Sequence, residues 1–479
     1  MNFNTIKHKF RKEKYSIGIS LLLLVLNYLL WLGCSKFGLG LSVDSANYFS
    51  AAESFSKGLG FIQFDDFPYL NAPPLYPLLL SVAYFTGISP HLFALGLQFI
   101  SFNVSLFFLY QIVSRNFSKA AALFVMALLG GFFFNYHQLF TYALSEPGFV
   151  AILMAFSYFE LFKPKHHKVL IPVLFLLLCM QRYEAWFLLP GLLFFWVKQK
   201  ENWKSILWKL SPAIFVTLLW FLRNYLLAGT ALGEHGLNNK FGPFAPLANV
   251  KLVLSGLVAF NPLYAAILLF VICLVFGVLN QKFLSGKQKE LNFFVLSLSI
   301  SLLVFLFLQN GLAMVQLPRY ISVMWFLLLL LPMLFIFQLE WNKKIVFGLL
   351  SLFVLVQFAA DLKRMRSYSY YGVGGYHERY WNQKQTNINK QDLSSGELIS
   401  NYPDMVYWYT GRHCIYTPFK EELETTFLAR TKGPKKLIWF TNEDRNEVMK
   451  NAEEWFNKQA TSNPILISGG VISTIEFPK

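Results

Sequence analysis

The sequence predicts an α-helical polytopic membrane protein, with about 11–13 transmembrane helices in residues 1–361 and a small soluble α/β domain in residues 362–479. Three observations predict it. Of the 479 residues, 55% are hydrophobic and 18% aromatic against 14% charged, the balance of a chain mostly dissolved in lipid. Apolar segments recur near 17–33, 74–89, 91–113, 119–136, 143–162, 168–181, 185–198, 205–222, 261–280, 291–309, 320–340 and 344–361. Beyond Asp361 the apolar runs shorten to strand length.

The chain opens with Lys7, Lys9, Arg11, Lys12 and Lys14 before the run SIGISLLLLVLNYLLWLG, which no small-residue cleavage site closes. This predicts an uncleaved first transmembrane helix with a cytoplasmic start. The net charge of +16 does not point to nucleic acid. Residues 1–361 hold 26 Lys+Arg and 13 Asp+Glu, residues 362–479 hold 16 and 13, so nearly all the excess lies in the short loops of the membrane part. There it is the topology signal of cytoplasmic loops.

Several apolar segments are shorter than the roughly 20 residues of a straight span. If 74–113 is one crossing, broken at Gly87-Ile88-Ser89-Pro90, the chain makes eleven. Alternate loops are then RNFSK, KPKHHK, KQKENWK, QKFLSGKQK and NKK, which share one side with the N-terminus. Asp44, Glu53, Asp65, Asp66, Glu146, Arg182, Glu184, Arg223, Glu234, His235, Arg319 and the whole tail fall on the opposite, non-cytoplasmic side.

The loop after the first span, Leu41 to Leu80, holds Asp44, Glu53, Asp65 and Asp66. Asp44, Tyr48, Ala51 and Phe55 recur at three-to-four spacing, predicting a short amphipathic helix at the membrane surface with Asp44 near its start. Asp44 then has two readings, a helix cap or a catalytic carboxylate. Glu146 precedes Pro147 at the mouth of an apolar helix, where the dipole favours an acid in any case. Arg182 and Glu184, between two short spans, read as an ion pair or as part of a site; Arg223 reads as a helix-end cation or an anion ligand. Arg319, after Pro318, opens an apolar run, where the macrodipole disfavours a cation, so a capping explanation is missing. A guanidinium fork matches phosphate, and three arginines on one face suit a phosphate or pyrophosphate head group.

His235 beside Glu234 reads as a solvated loop histidine, since one histidine without ligand spacing is a weak metal signal. Cys34, Cys179, Cys273 and Cys414 show no pairing or metal spacing. No P-loop, dinucleotide fingerprint, nucleophile elbow or HExxH occurs, which argues against a nucleotide-driven pump and the common soluble hydrolases. In the tail, 398–401, 436–441, 465–468 and 471–477 read as strands, 404–409 and 442–459 as helices, after a Tyr/Ser/Gly-rich linker at 367–380.

Five motifs, in order, resemble one family. They are Asp44 in VDSANYFSAAESFSKGLGF, APPLYPLLL at Ala72 to Leu80, YALSEP around Glu146, LPRY at Leu317 to Tyr320, and NYPDMVYWYTGRHCIYTP in the tail. The family is the GT-C glycosyltransferases, in the branch of protein O-mannosyltransferases and lipid A aminoarabinose transferases. Ser45 stands where many relatives carry a second acid, and Ala72 where they carry lysine.

The resemblance implies a GT-C-like fold in a bacterial inner membrane. It also implies inverting transfer of a sugar from a polyprenyl-phosphate donor to an extracytoplasmic lipid, protein or glycan acceptor. By what the residues themselves can do, Asp44 would be the base, with Glu146 orienting the acceptor or helping a divalent metal ion, and Arg182, Arg223, Arg319, Tyr320 and Tyr48 would contact substrate. A lipid or polysaccharide flippase and a scaffold or receptor are the readings from other classes; the first would line a central path with charges, the second would tolerate loss of Asp44.

Overall fold

The computed structural model describes residues 3–70, 72–130, 136–231, 262–284, 286–308, 323, 325–336, 343–373, 397–400, 402–416, 435–440, 465–467 and 470–475. Helices follow the apolar segments in order: α1 (Phe3–Cys34), α2 (Val43–Ser56), α3 (Leu75–Thr86), α4 (Pro90–Asn116), α5 (Lys119–Gly130), α6 (Tyr136–Thr141), α7 (Glu146–Phe162), α8 (His167–Gln181), α9 (Ala185–Lys198) and α10 (Trp203–Ala228). After them come α11 (Pro262–Phe283), α12 (Gly286–Leu308), α13 (Trp325–Leu328), α14 (Leu330–Ile336) and α15 (Lys343–Tyr371). The fold class is a helical membrane protein with a small sheet in its tail.

Among the described residues three helices are long and apolar enough to cross a membrane by length and composition: Tyr15–Cys34 within α1, α4 and α10. The break expected at Gly87 is present, with Gly87 at φ +71° between α3 and α4. At 1.5 Å per residue α3 is about 18 Å long, short of the roughly 30 Å hydrocarbon core.

The chain forms two compact units. One comprises Met1–Gly33, Leu70–Tyr76 and Leu95–Arg366. Within it α8 packs on α7 and α10, and α9 on α12. Gly191 of α9 lies so close to the Ser297 carbonyl of α12 that a Cβ there would come within 2.4 Å of it, and Ser301 Oγ donates to Phe187 C=O at 2.5 Å in the same seam. Asn280 Nδ2 donates to Leu331 C=O and Asn292 Nδ2 to Gly277 C=O, both at 2.8 Å. These bonds tie α11 to α14 and α12 to α11 without exposing amides to lipid.

The other unit comprises Cys34–Tyr69, Pro77–Ala94 and Ser367–Lys479, so the first loop and the tail fold together. Its sheet consists of β1 (Glu397–Ser400), β2 (Cys414–Tyr416), β3 (Lys435–Phe440), β4 (Ile465–Ile467) and β5 (Gly470–Ile475), in the order β2-β1-β3-β5-β4. β1 pairs parallel with β2 and β3, while β5 pairs antiparallel with β3 and β4. The crossover from β1 to β2 is α16 (Pro403–Thr410), which has Pro403 in its first turn and ends on Gly411 at φ +69°. Four strands stand where the sequence places them; β2, three residues long, was not predicted. Residues 367–371, read as the start of the linker, continue α15. The helix expected over 442–459 lies outside the described residues.

Candidate active site

The first-loop helix α2 starts on Ser42, not on Asp44. Ser45 N–H donates to Ser42 Oγ at 3.4 Å and Ser42 N–H to Ser45 Oγ at 3.1 Å, a reciprocal capping box. Asp44 stands in the first turn, half-buried, where the dipole favours an acid but the cap is already made. The expected amphipathic stripe is also corrected: Ser45, Ala46, Tyr48, Phe49, Ser50, Ala51, Ala52 and Ser54 are all buried, so α2 is enclosed on most faces. Small residues let neighbours pack closely around it. The Tyr48 ring is buried and meets Tyr69 edge-on at 6.3 Å.

Glu146 opens α7, followed by Pro147, and is fully buried. Its Oε1 lies 2.8 Å from Nη1 of Arg182, the residue that caps the C-terminus of α8. The same guanidinium meets Glu184 as a fork, Nε to Oε2 at 3.1 Å and Nη2 to Oε1 at 2.5 Å, and donates from Nη1 to Ser145 Oγ at 3.1 Å. Two carboxylates thus share one arginine in a place nearly closed to water, where an unpaired charge would be costly. The sequence offered an ion pair or a site at 182–184; the ion pair exists, and it includes Glu146.

Tyr183 links this group to the end of α10. Trp220 Nε1 donates to the Tyr183 hydroxyl at 3.0 Å, and the Arg223 guanidinium stacks on Trp220 with 4.6 Å to the ring centroid. Arg223 Nη1 also donates to Asn224 Oδ1 at 2.9 Å. Glu146, Arg182 and Arg223 therefore belong to one neighbourhood of one unit, whereas Asp44 and Tyr48 belong to the other. Arg319, Tyr320, Glu234 and His235 lie outside the described residues. Among the described residues no three His, Cys, Asp or Glu side chains converge as metal ligands, and the four cysteines are free and buried.

Sequence reading missed two buried amides that hold the turn before Glu146. Gln98 of α4 donates to Tyr142 C=O at 2.9 Å and Leu144 C=O at 3.1 Å, and Gln181 donates to Ser145 C=O at 2.8 Å. A lone glutamine in an apolar helix was the available signal, because a buried amide needs partners. The other miss is at the far end of α7. Fully buried Glu160 accepts from Lys209 Nζ at 2.9 Å and Trp196 Nε1 at 2.9 Å, and Lys209 also meets Glu201 at 2.7 Å.

The fold is shared with two proteins of solved structure. ArnT from Cupriavidus metallidurans bound to undecaprenyl phosphate is similar, with a TM-score of 0.64 and 10% identity over 95% of this chain and 97% of that one; its apo state gives 0.63 and 11% over 96% and 98%. The Archaeoglobus fulgidus oligosaccharyltransferase in complex with Zn and sulfate gives a TM-score of 0.55 and 11% identity over 87% of this chain and 68% of that one. No protein-family model and no curated protein matches the sequence.

Proposed function

We propose that this chain is an integral-membrane glycosyltransferase that moves a sugar from a polyprenyl-phosphate donor to an extracytoplasmic acceptor, inverting the anomeric carbon. The observation that carries the reading is the end-to-end likeness to ArnT, a structure bound to undecaprenyl phosphate, over 95% of this chain. In displacement at the anomeric carbon, a carboxylate takes the proton of the acceptor hydroxyl; Asp44, in the first turn of α2 but not its cap, takes that role. The departing lipid phosphate gathers negative charge, which Arg223 and Arg319 stabilise, with Tyr320 contacting substrate; Tyr48, buried and packed on Tyr69, is assigned instead to holding α2. Arg182 is assigned differently: with its fork on Glu184 and its Nη1 on Glu146, it orders Glu146, which in turn orients the acceptor. The donor is already activated, so no nucleotide site is required.

The test is a cell-free assay with radiolabelled polyprenyl-phosphate-sugar and a membrane extract. Label passing into acceptor, and none with Asp44→Asn, is the expected result. Movement of intact donor between leaflets without transfer would make the protein a flippase and overturn the proposal.

A further inference from the structure

Nine residues beyond Asp44 on α2, Glu53 carries a partner from the distant tail. The Tyr407 hydroxyl of α16 donates to Glu53 Oε2 at 2.7 Å. The other carboxylate oxygen meets Lys57 Nζ at 2.7 Å, but that lysine is 60% exposed and its pull is screened by solvent. Tyr407 is buried, hydrogen-bonds Tyr84 and stays a donor, because burial first, and then Tyr84 and Glu53, raise its pKa far above the ordinary phenol value. Tyr84 in turn donates to Phe49 C=O of α2 at 3.3 Å. Around this network the contacts are rings: Phe49 against Trp408 at 5.2 Å, and Phe64 against Tyr407 at 6.4 Å.

Apolar packing is non-directional, and the ring contacts of Tyr48 and Phe49 and the small residues of α2 hold the helix in place without a fixed bonding direction. A charge-assisted hydrogen bond in a buried place does fix position. We propose that Tyr407 is a positioning residue for Asp44: its bond to Glu53 sets the axial and rotational place of α2, and so of the carboxylate at the helix's other end. This rests on the reading of Asp44 as the base. The helix between them is continuous, about 13 Å long, and transmits a shift at Glu53 to Asp44. A base works only within hydrogen-bond reach of its proton, and a displacement of about 1 Å can cost about 10²-fold in rate. The tail thereby acts on catalysis without touching substrate.

The full-length protein is assayed with radiolabelled polyprenyl-phosphate-sugar and membrane extract, per folded molecule. Tyr407→Phe keeps the ring and loses the bond; it lowers turnover at saturating donor about tenfold with donor KM unchanged. Glu53→Gln keeps a carbonyl acceptor and retains most of the turnover, Glu53→Leu falls as far as Tyr407→Phe, and the double Tyr407→Phe/Glu53→Leu falls no further. Parental turnover in Tyr407→Phe, multiplied losses in the double variant, or Glu53→Gln as impaired as Glu53→Leu would each overturn the proposal; the Glu53 pair decides it where Tyr407→Phe does not fold. Asp44→Asn in the same assay separates the two claims. Inactive Asp44→Asn beside parental Tyr407→Phe removes only the positioning role, whereas active Asp44→Asn removes the base itself and this role with it.

Discussion

Nη1 of Arg182 sits 2.8 Å from Oε1 of Glu146, joining the C-cap of α8 to the first residue of α7 in a place where Glu146 has no exposure to water. A buried pair is weak evidence of net stability, but removing one partner strands the other. Arg182→Ala should destabilise the protein by about 3–5 kcal/mol. Thermal unfolding in detergent measures it, and adding Glu146→Gln should recover much of the loss, because the stranded charge is then gone. Equal melting of the single and double variants would mean that Glu146 is not the group left uncompensated.

At the other end of α7, Lys209 lies between Glu160 and Glu201 and stacks on Trp196 at 4.6 Å. Lys209→Met keeps the stem and removes the charge, leaving Glu160 buried without its cation. The expected cost is again about 3–5 kcal/mol. Turnover per folded molecule should be close to parental, since the proposed chemistry uses the other end of the helix.

The helices were legible because spans in lipid are written as apolar runs, and each run among the described residues became a helix. The strands were legible as short apolar runs of strand length, except β2, whose three residues are too few to show a period. Asp44 and Glu146 stood out as acids beside apolar segments, and the break at Gly87 was visible in its flanking residues. What sequence could not show were partners distant in the chain: Tyr407 is 354 residues from Glu53, and Lys209 is 49 from Glu160. Sequence left the two readings of Asp44 open because Ser42 and Asp44 both suit a helix start, and only geometry tells which oxygen meets the free N–H.

Asp404, in the first turn of α16, is 1% exposed. Burial pushes its carboxyl up to about 7, against its own and the Met405 backbone N–H groups that favour the ionised form. The folded state therefore holds a proton that the unfolded chain gives up near 3.8. Stability from this group is fully present below that value, declines as pH rises, and is lost by about 7. Asp404→Asn should flatten this part of the pH dependence. Unfolding of the tail followed by hydrogen exchange at pH 5 and pH 8 checks it: the parent should lose protection at the higher pH and the variant should not.

The basic loops predict orientation. A tag after Lys479 should be extracytoplasmic, and one in the loop Lys282 to Lys289 cytoplasmic. Accessibility of each tag to an impermeant reagent in intact cells measures this. The reverse pattern would put Asp44 on the cytoplasmic side and end the proposed reaction with an external acceptor.

Because Ser42 makes the cap, the two readings of Asp44 now separate through different residues. Ser42→Ala removes the side-chain acceptor for Ser45 N–H and should cost about 1 kcal/mol in stability, with turnover per folded molecule retained. Asp44→Asn and Asp44→Ala lose the attraction of a first-turn charge to the helix dipole, about 0.3–1 kcal/mol. Neither substituted side chain can take a proton at neutral pH, and loss of a general base typically costs 10²–10⁴-fold in rate. The catalytic reading therefore expects two nearly inactive, nearly stable Asp44 variants beside an active, less stable Ser42 variant. If Asp44 were only structural, the order would change: all three would transfer sugar, and any loss at Asp44 would follow its melting temperature. Near-parental transfer by Asp44→Asn would send the search for the base to Glu53, Asp65, Asp66 and Glu146. Of these, Glu53, Asp66 and Glu146 would first have to leave the tyrosine, the histidine and the arginine that now hold them.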